Sequence, residues 1–242
     1  MNEGKARFTT FTVPFLKVGE KNQGIKLSDL NFTNLKFGNT MALGDNIWIW
    51  DASSWQVFFY KRTGNGTTVP YTYSWALNGG GTKTFDDVYP NGLPEGTSLY
   101  FKAQDANAKV ATGSGEVESL PQVSTPLVDG GRFAFIGNPY PTAFKLSDPN
   151  QFEITDSSFG NTMALADNAW VWNVSSWQVF FYKRTGNGST VPFTYSWALN
   201  GGGTKTFDDI YPDGLPVGSA LYIKTKANSK LTTKEAVFKK NF

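Results

Sequence analysis

An internal repeat covers most of this 242-residue chain and limits the folds that it can adopt. Residues 37–103 return as residues 159–225, with 53 of 67 aligned positions identical and no gap. Each copy with its flanks is about 120 residues long, the size of an ordinary domain. Two copies at this period indicate tandem domains, because solenoids have shorter repeats and more of them. We therefore predict a first domain at residues 1–117, a linker at 118–130 and a second domain at 131–242.

Short apolar and aromatic runs, separated by Gly-rich turns, make up each copy. Residues 71–77 (YTYSWAL) alternate, so that Tyr73 and Trp75 share one face of a strand and Ser74 lies on the other. Residues 55–61 are predicted to pair with this strand as a hairpin with a long loop, and residues 82–88 to form a short strand. The pattern predicts an all-β fold: two tandem homologous antiparallel β-sandwich domains of the jelly-roll or Ig-like type.

The composition excludes several kinds of site. The chain has neither Cys nor His, which removes disulfides, thiolate nucleophiles, His-dependent triads and most zinc or iron sites. Its net charge of +2 provides no basic field for a nucleic acid. No run of about 18 apolar residues is present, so we expect no membrane span. These absences favour a protein that is not an enzyme and that holds no cofactor and no metal.

Carboxylates are the remaining candidates for chemistry. Asp86 and Asp87 are adjacent in a predicted strand, so they would point to opposite faces and not form a catalytic pair. Asp45 could add a third Ca²⁺ ligand, but the chain has no Asp-x-Asp-x-Asp-Gly loop. The Gly-rich run before Lys83 is not a phosphate loop, because that motif needs Gly directly before Lys and a helix afterwards. We expect turn residues and solvated charges here.

All eight Trp residues lie in the two copies of the repeat. Indole rings stack on sugars and form interface hot spots, but a buried ring also removes roughly 150–250 Å² from water. We expect Trp48 and Trp50 in the core. Tyr73 and Trp75 precede a Gly-rich loop and are the better exposed candidates. The candidate binding or interface residues are Tyr73, Trp75 and Trp55, with Tyr195, Trp197 and Trp177 in the second copy.

The segment RFTTFTVPF (residues 7–15) alternates Thr with Phe and Val, as a strand does. Such a strand can add to the sheet edge of a neighbouring molecule, because unpaired edge N–H and C=O groups template pairing. Phe8, Phe11 and Val13 therefore mark a candidate strand-addition segment. Two similar domains in one chain also favour head-to-tail, open-ended contacts.

The motifs DNIWIWDASSWQVFFYK and LPEGTSLYFKA, with the closing GEV, resemble a β-rich domain that is repeated in large secreted surface proteins of environmental bacteria. The run GNPYP at residues 137–141 is similar to an element common in such exported proteins. The resemblance covers most of each half and supplies no functional residues. It implies export and a non-catalytic role at the surface. We expect an extracellular or cell-surface protein whose signal peptide is absent from this chain.

Two functional hypotheses remain open. The first is a non-catalytic structural or adhesive protein that associates with itself into a fibre, sheath or surface layer. The alternative is a pair of carbohydrate-binding modules that bind surface glycans through exposed Trp and Tyr and gain avidity from two weak sites. An enzyme is the least favoured class, because Asp51 and Glu95 become Asn173 and Val217 in the second copy. The identity of the ligand and the geometry of an oligomer stay open.

Overall fold

The structure is a computed structural model that describes residues 7–13, 23–51, 54–94, 96–105, 111–112, 122–127, 133–138, 142–173 and 176–234. The chain divides into two compact units, Met1–Glu118 and Ser119–Phe242. Each unit contains one copy of the repeat with its flanking segments.

The two copies of the repeat form the same elements in the same order. The first unit has β1 (Arg7–Thr12), β2 (Asn31–Phe32), β3 (Asn46–Asp51), β4 (Ser54–Thr63), β5 (Thr72–Leu77), α1 (Phe85–Val88), β6 (Ser98–Ala103) and β7 (Ala111–Thr112). The second unit has β8 (Gln122–Leu127), β9 (Phe133–Gly137), β10 (Phe152–Ile154), β11 (Asn168–Asn173), β12 (Ser176–Thr185), β13 (Thr194–Leu199), α2 (Phe207–Ile210), β14 (Ala220–Lys224) and β15 (Ser229–Lys234). The elements of the repeat are β3, β4, β5, α1 and β6 in the first copy and β11, β12, β13, α2 and β14 in the second. The flanking segments of each unit add the remaining strands.

Each unit contains one five-stranded antiparallel sheet and one smaller antiparallel sheet. The large sheets have the strand orders β1-β6-β3-β4-β5 and β13-β12-β11-β14-β9. The small sheets are β2-β7 in the first unit and β10-β15-β8 in the second. Strands account for 44% of the structure and helices for 4%, which confirms the predicted all-β class.

The predicted aromatic hairpin is confirmed in both units. β4 pairs with β5, and β12 pairs with β13 in the same register. Tyr60 lies opposite Trp75, and Arg62 lies opposite Tyr73. Because side chains alternate along a strand, these four side chains share one face of the sheet.

Part of the segment predicted as a linker is a strand. Residues 118–130 contain β8, which pairs with β15 along its whole length. The division between the units falls at Glu118 and Ser119, at the start of that segment. Its Pro and Gly residues indicated a connection, whereas the alternation of QVSTPL is compatible with a strand once β15 supplies a partner.

The placement of the aromatic residues of β3 differs from the prediction. Ile47 and Ile49 are buried in the core, while Trp48 and Trp50 lie half-buried on the opposite face of the sheet. The prediction that the two Trp residues form the core is therefore wrong. A period of two separates the faces of a strand, but it does not say which face is inside when both are apolar.

The core of each unit lies against one face of the large sheet. In the second unit Phe152 and Ile154 of β10 and Leu231 of β15 join residues of the large sheet in a single buried cluster. In the first unit the fully buried ring of Phe58 packs edge-on against Phe85, with their centroids 5.4 Å apart. The one-turn helix therefore contributes its first residue to the core.

The segment predicted as a short strand at residues 82–88 contains helix α1, so that prediction is wrong. Thr84 and Asp87 form a capping box, in which the Thr84 N–H and hydroxyl donate to Asp87 Oδ2 at 2.7 and 2.9 Å. Such a box satisfies N–H groups that the first turn of a helix leaves without partners. The same box, formed by Thr206 and Asp209, begins α2. The sequence TFDD carries this cap, although the neighbouring β pattern obscures it.

Removing a core ring tests the packing of each unit. Phe58→Ala is expected to lower the free energy of unfolding of the first unit by about 3–5 kcal/mol, because it leaves a cavity. Phe180→Ala, at the equivalent position, is expected to do the same in the second unit. Denaturant unfolding followed by Trp fluorescence measures both. Val217→Ala, at an exposed position, should change stability by no more than about 0.5 kcal/mol. Equal effects of Phe58→Ala and Val217→Ala would contradict the core described above.

The capping boxes predict a contribution to acid sensitivity. The Thr84 backbone N–H, followed by the Thr84 hydroxyl, lowers the pKa of Asp87, and Thr206 lowers that of Asp209 in the same way. A carboxylate whose pKa is lower in the folded protein than in the unfolded chain stabilises the fold. This stabilisation is fully present at pH values above the unfolded pKa and is lost as the pH falls through the folded pKa.

Asp87→Asn with Asp209→Asn should therefore lose less stability between about pH 5 and about pH 2 than the wild type does. Urea midpoints across that range give the measurement. Asp213→Asn, at an exposed position outside the boxes, is the control. Identical acid slopes for the double variant and the wild type would show that the boxes do not contribute.

Candidate functional site

The aromatic residues of each unit fall into three groups, which differ in exposure. The first group, the tryptophan cluster, lies on the face of the large sheet opposite the core. It consists of Trp48, Trp50, Trp55 and Tyr100, and of Trp170, Trp172, Trp177 and Tyr222 in the second unit.

The tryptophan cluster is packed against itself. The ring of Trp55 meets those of Trp48 and Trp50 edge-on, with centroids 6.2 and 5.2 Å apart. The four side chains are half-buried, and the indole Nε1 of Trp48 is fully buried and has no hydrogen-bond partner among the described residues. The candidate residues Trp55 and Trp177 thus lie half-buried within a set of edge-to-face and tilted ring contacts.

The second group lies in the core and includes Trp75 and Trp197. These side chains are only 7% and 4% exposed, so the prediction that the indole of Trp75 is exposed is wrong. The Trp197 Nε1–H donates to the Leu146 carbonyl at 3.1 Å, which satisfies the buried indole. The Gly-rich loop after β5 does not expose the indole, because it folds back and the Lys83 carbonyl accepts from the Leu77 N–H at 2.9 Å.

The third group consists of exposed rings around a half-buried arginine. We call it the arginine patch: Phe37, Arg62, Tyr71 and Tyr73 in the first unit, and Phe159, Arg184, Phe193 and Tyr195 in the second. Of the sequence candidates, Tyr73 and Tyr195 belong to it and are 49% and 48% exposed. The predicted exposure of Tyr73 is therefore confirmed.

The guanidinium of Arg62 lies between two aromatic rings. Its Cζ is 4.0 Å from the centroid of Phe37 and 4.2 Å from that of Tyr71, both within the range of a cation–π contact. The Tyr73 ring contacts Phe37 edge-on at 5.9 Å and stacks on Tyr60 at 5.7 Å. Arg184 has the same surroundings, with distances of 4.1 and 4.2 Å to Phe159 and Phe193.

A buried carboxylate places Phe37 beside the hairpin. The Oδ2 of Asp45 accepts from the Lys36 N–H at 2.7 Å, and its Oδ1 accepts from the Gln104 N–H at 2.8 Å. The Asp45 carbonyl accepts from the Tyr60 N–H, and the Tyr60 carbonyl accepts from the Gly38 N–H. The segment that carries Phe37 is thereby fixed to β4, two residues before Arg62.

The second unit repeats this arrangement around Asp167. Its carboxylate accepts from the backbone N–H groups of Ser158 and Lys226, each at 2.8 Å. Burial raises the pKa of Asp167, and those two N–H groups partly oppose the shift. Both carboxylates are therefore occupied by backbone donors, which gives them a structural role rather than that of a Ca²⁺ ligand.

The hairpin loop places Tyr71. The Oδ1 of Asn65 accepts from the N–H groups of Thr67, Thr68 and Val69 at 2.9–3.0 Å, so the side chain holds the loop together. Gly66 has a φ of +72°, and a Cβ there would come within 2.5 Å of the Tyr71 ring. Glycine is thus needed at this position for its backbone conformation and for the close approach of the ring.

A cleft of about 440 Å³ borders the patch in the first unit. Its aromatic wall is formed by Tyr60, Tyr73 and Trp75, and its polar groups include Ser28, Asn31 and Asp86. Asp86 faces Lys26, with Oδ1 and Nζ 3.8 Å apart. Burial, and then the neighbouring Tyr73, raises the pKa of Tyr60.

The candidate strand-addition segment forms the edge strand of its own sheet. β1 pairs with β6 through six residue pairs. Phe8 stacks on Tyr100 at 5.0 Å on the outer face, whereas Val13 is buried in the core and Phe11 packs against it. Among the described residues, β1 pairs with no strand other than β6.

Three residues of each patch are not among the residues predicted from the sequence. Phe37 and Arg62 lie far apart in the sequence, and Tyr71 lies across a loop from Arg62. A signal was present, because Phe37 and Arg62 are unchanged in the second copy and Tyr71 becomes another aromatic residue, Phe193. The remaining carboxylates form no group of three or more that could hold a metal ion within the described residues.

The chain matches no protein-family model, no curated protein and no solved structure. Neither of the two short helices that the structure describes has the length and hydropathy needed to cross a membrane. The function of the arginine patch is therefore inferred from its own groups, which are exposed rings, one guanidinium and a fixed backbone.

The contact between Gly66 and Tyr71 can be tested by substitution. Gly66→Ala should destabilise the first unit by about 2 kcal/mol, because the methyl group adds a clash with the ring to the penalty of positive φ. Gly79→Ala is the matched control, since Gly79 has a φ of +75° and nothing within 4 Å of the added Cβ. That variant should lose only about 1 kcal/mol. Equal losses in denaturant unfolding would show that the Tyr71 ring does not pack on Gly66.

Proposed function

We propose that this chain is a non-catalytic extracellular adhesive protein that binds polysaccharide through the arginine patch of each unit. The observation that carries the proposal is one arrangement, a guanidinium in contact with two exposed rings and a third exposed ring packed on one of them, present twice with nearly the same distances. Exposed rings offer flat apolar surface to the C–H groups of sugars, and their edges leave room for hydroxyl contacts.

The loops that carry the patch also expose apolar side chains. Leu43 and Val69 are exposed in the first unit, and Leu165 and Val191 are exposed in the second. Clustered exposed apolar side chains mark binding surfaces more often than isolated ones do. Leu43 lies beside Gly38, next to Phe37. Val69 lies two residues before Tyr71, so both side chains belong to the segments that carry the patch.

The surrounding backbone favours binding as well. Asp45 fixes the segment before Phe37, and Asn65 fixes the loop before Tyr71. A site whose side chains are already positioned loses less conformational entropy when a ligand binds. Two such sites on one chain gain avidity for a polymer that repeats its binding unit.

We further infer that each unit is a β-sandwich, of the broad class that includes jelly rolls and Ig-like domains. The buried cluster of the second unit, with Phe152 and Leu231 from the small sheet and Phe180 from the large one, supports this inference. Export to the cell surface is proposed from the resemblance of the repeat to domains of secreted surface proteins.

Removal of the exposed Tyr rings tests the proposed function. Tyr73→Ala with Tyr195→Ala is expected to abolish retention on immobilised polysaccharides, and each single variant should weaken it about tenfold or more. Affinity chromatography of the full chain on neutral and acidic polysaccharides gives the measurement, with Val217→Ala as a control. Circular dichroism checks that the variants fold. If no polysaccharide retains the wild type, polysaccharide binding is not the function.

Self-association into a fibre, sheath or surface layer is the second candidate function. The observation that favours it is the edge position of β1, whose second side has no partner strand among the described residues. It predicts polymers in electron micrographs and a sedimentation coefficient that rises with concentration. A single monomeric species at high concentration would rule this candidate out and leave the polysaccharide proposal intact.

A further inference from the structure

We propose that the arginine patch binds a polysaccharide that carries carboxylate groups, with Arg62 and Arg184 each pairing with a sugar carboxylate. This inference rests on the function proposed above and names the class of ligand. It assigns different tasks to the parts of the patch: the rings hold the sugar, and the guanidinium selects for its charge.

The geometry of the guanidinium supports this task. Phe37 and Tyr71 cover the guanidinium at 4.0 and 4.2 Å. Cation–π contacts of this kind use no N–H donor as a hydrogen bond to a protein acceptor, so the planar fork can still meet a carboxylate in a bidentate pair. Among the described residues, the Arg62 guanidinium makes no hydrogen bond and no ion pair, and neither does that of Arg184. Each patch thus presents a positioned cation without a partner of its own.

The charges around the patch are complementary to an anion. Residues 36–44 and 60–85, which form the first patch and its loops, contain basic residues but no Asp or Glu. Residues 158–166 and 182–207 of the second unit also lack acidic residues. Two carboxylates adjoin the first patch. That of Asp45 is fully buried and accepts backbone hydrogen bonds. That of Asp86 lines the bordering cleft and lies 3.8 Å from the Lys26 ammonium, which offsets its charge. A carboxylate ligand therefore meets a guanidinium without an unpaired negative charge from these two residues.

The differences between the two copies show which groups of the patch both units have in common. Tyr71 becomes Phe193, so the second patch keeps the ring and loses the hydroxyl. Lys36 becomes Ser158, so the second patch lacks that additional positive charge. The guanidinium between two rings is what both patches retain. Its planar fork matches a carboxylate better than the point charge of a lysine does.

The preceding residue of the same strand provides a matched control. Lys61 precedes Arg62 in β4, and Lys183 precedes Arg184 in β12. Alternation places these lysines on the opposite face of the sheet from the arginines. Arg62→Gln with Arg184→Gln and Lys61→Gln with Lys183→Gln therefore remove the same charge from neighbouring positions. Only the arginine pair removes it from the patch.

The experiment measures binding of the full chain to polygalacturonate and to its methyl-esterified form, which has the same sugars without the charge. Isothermal titration calorimetry should show that the wild type binds the acid more tightly than the ester. The arginine-to-glutamine pair should lose about 10- to 100-fold in affinity for the acid, the range of a hydrogen bond to a charged group. The lysine-to-glutamine pair should bind as the wild type does.

Two further arms test for a specific carboxylate pair. Arg62→Lys with Arg184→Lys keeps the charge and should still lose about tenfold, because the bidentate fork is gone. Dextran sulfate tests for general attraction to polyanions, and the wild type should bind it more weakly than polygalacturonate at about 0.15 M salt. Thermal unfolding checks that each variant is folded before its affinity is compared.

Several results would overturn the carboxylate assignment. These are equal affinity for the acid and the ester, equal losses from the arginine and lysine pairs, or tighter binding of dextran sulfate. Retention on neutral polysaccharides that is lost in Tyr73→Ala with Tyr195→Ala would then still support the proposed function. Failure to bind any polysaccharide would reject both proposals together.

Discussion

In each unit, a buried carboxylate fixes the segment that carries an exposed aromatic ring to the strands of the large sheet. Asp45 and Asp167 are fully buried, and each carboxylate accepts one backbone hydrogen bond from nine residues before it and one from 59 residues after it. A buried charge is tolerated only when such donors replace the water that it has lost. The segment before β3, the end of β6 and the middle of β4 therefore meet at Asp45. The position of Phe37, and with it the contact of its ring with the Arg62 guanidinium, depends on the hydrogen bonds of Asp45.

The strands and their pairing in the hairpin could be predicted from sequence, because alternation and Gly-rich turns act locally. The burial of the aromatic residues could not. Trp48 and Ile49 occupy opposite faces of one strand, and both faces are apolar, so the pattern gave no sign of which lies inside. Helix α1 was missed for a different reason: four residues are too short to show a helical period, and only its capping box marks it.

The candidate site was predicted in part. Tyr73 and Tyr195 were identified, but their partners were not, because Arg62 is adjacent to Tyr73 only across the hairpin and Phe37 reaches it only through the hydrogen bonds of Asp45. Trp75 was misplaced because its alternation is the same as that of Tyr73. The two residues share one face of β5, yet Trp75 lies in the core and Tyr73 lies outside it, at the surface. Alternation specifies a face, and the neighbouring segments decide how far along that face the core extends.

The near-identity of the hairpins also poses a problem during folding. β4 has the same sequence as β12, and β5 has the same sequence as β13, so β4 could pair with β13 in an equally good register. Closing the local hairpin joins residues only nine positions apart, Thr63 and Thr72, whereas the crossed pair joins Thr63 to Thr194. The longer loop costs about 2 kcal/mol more in closure entropy. The loop at residues 64–71, besides positioning the Tyr71 ring, thus favours pairing of β4 with β5 before the two units have formed, and the equivalent loop does the same for β12 and β13.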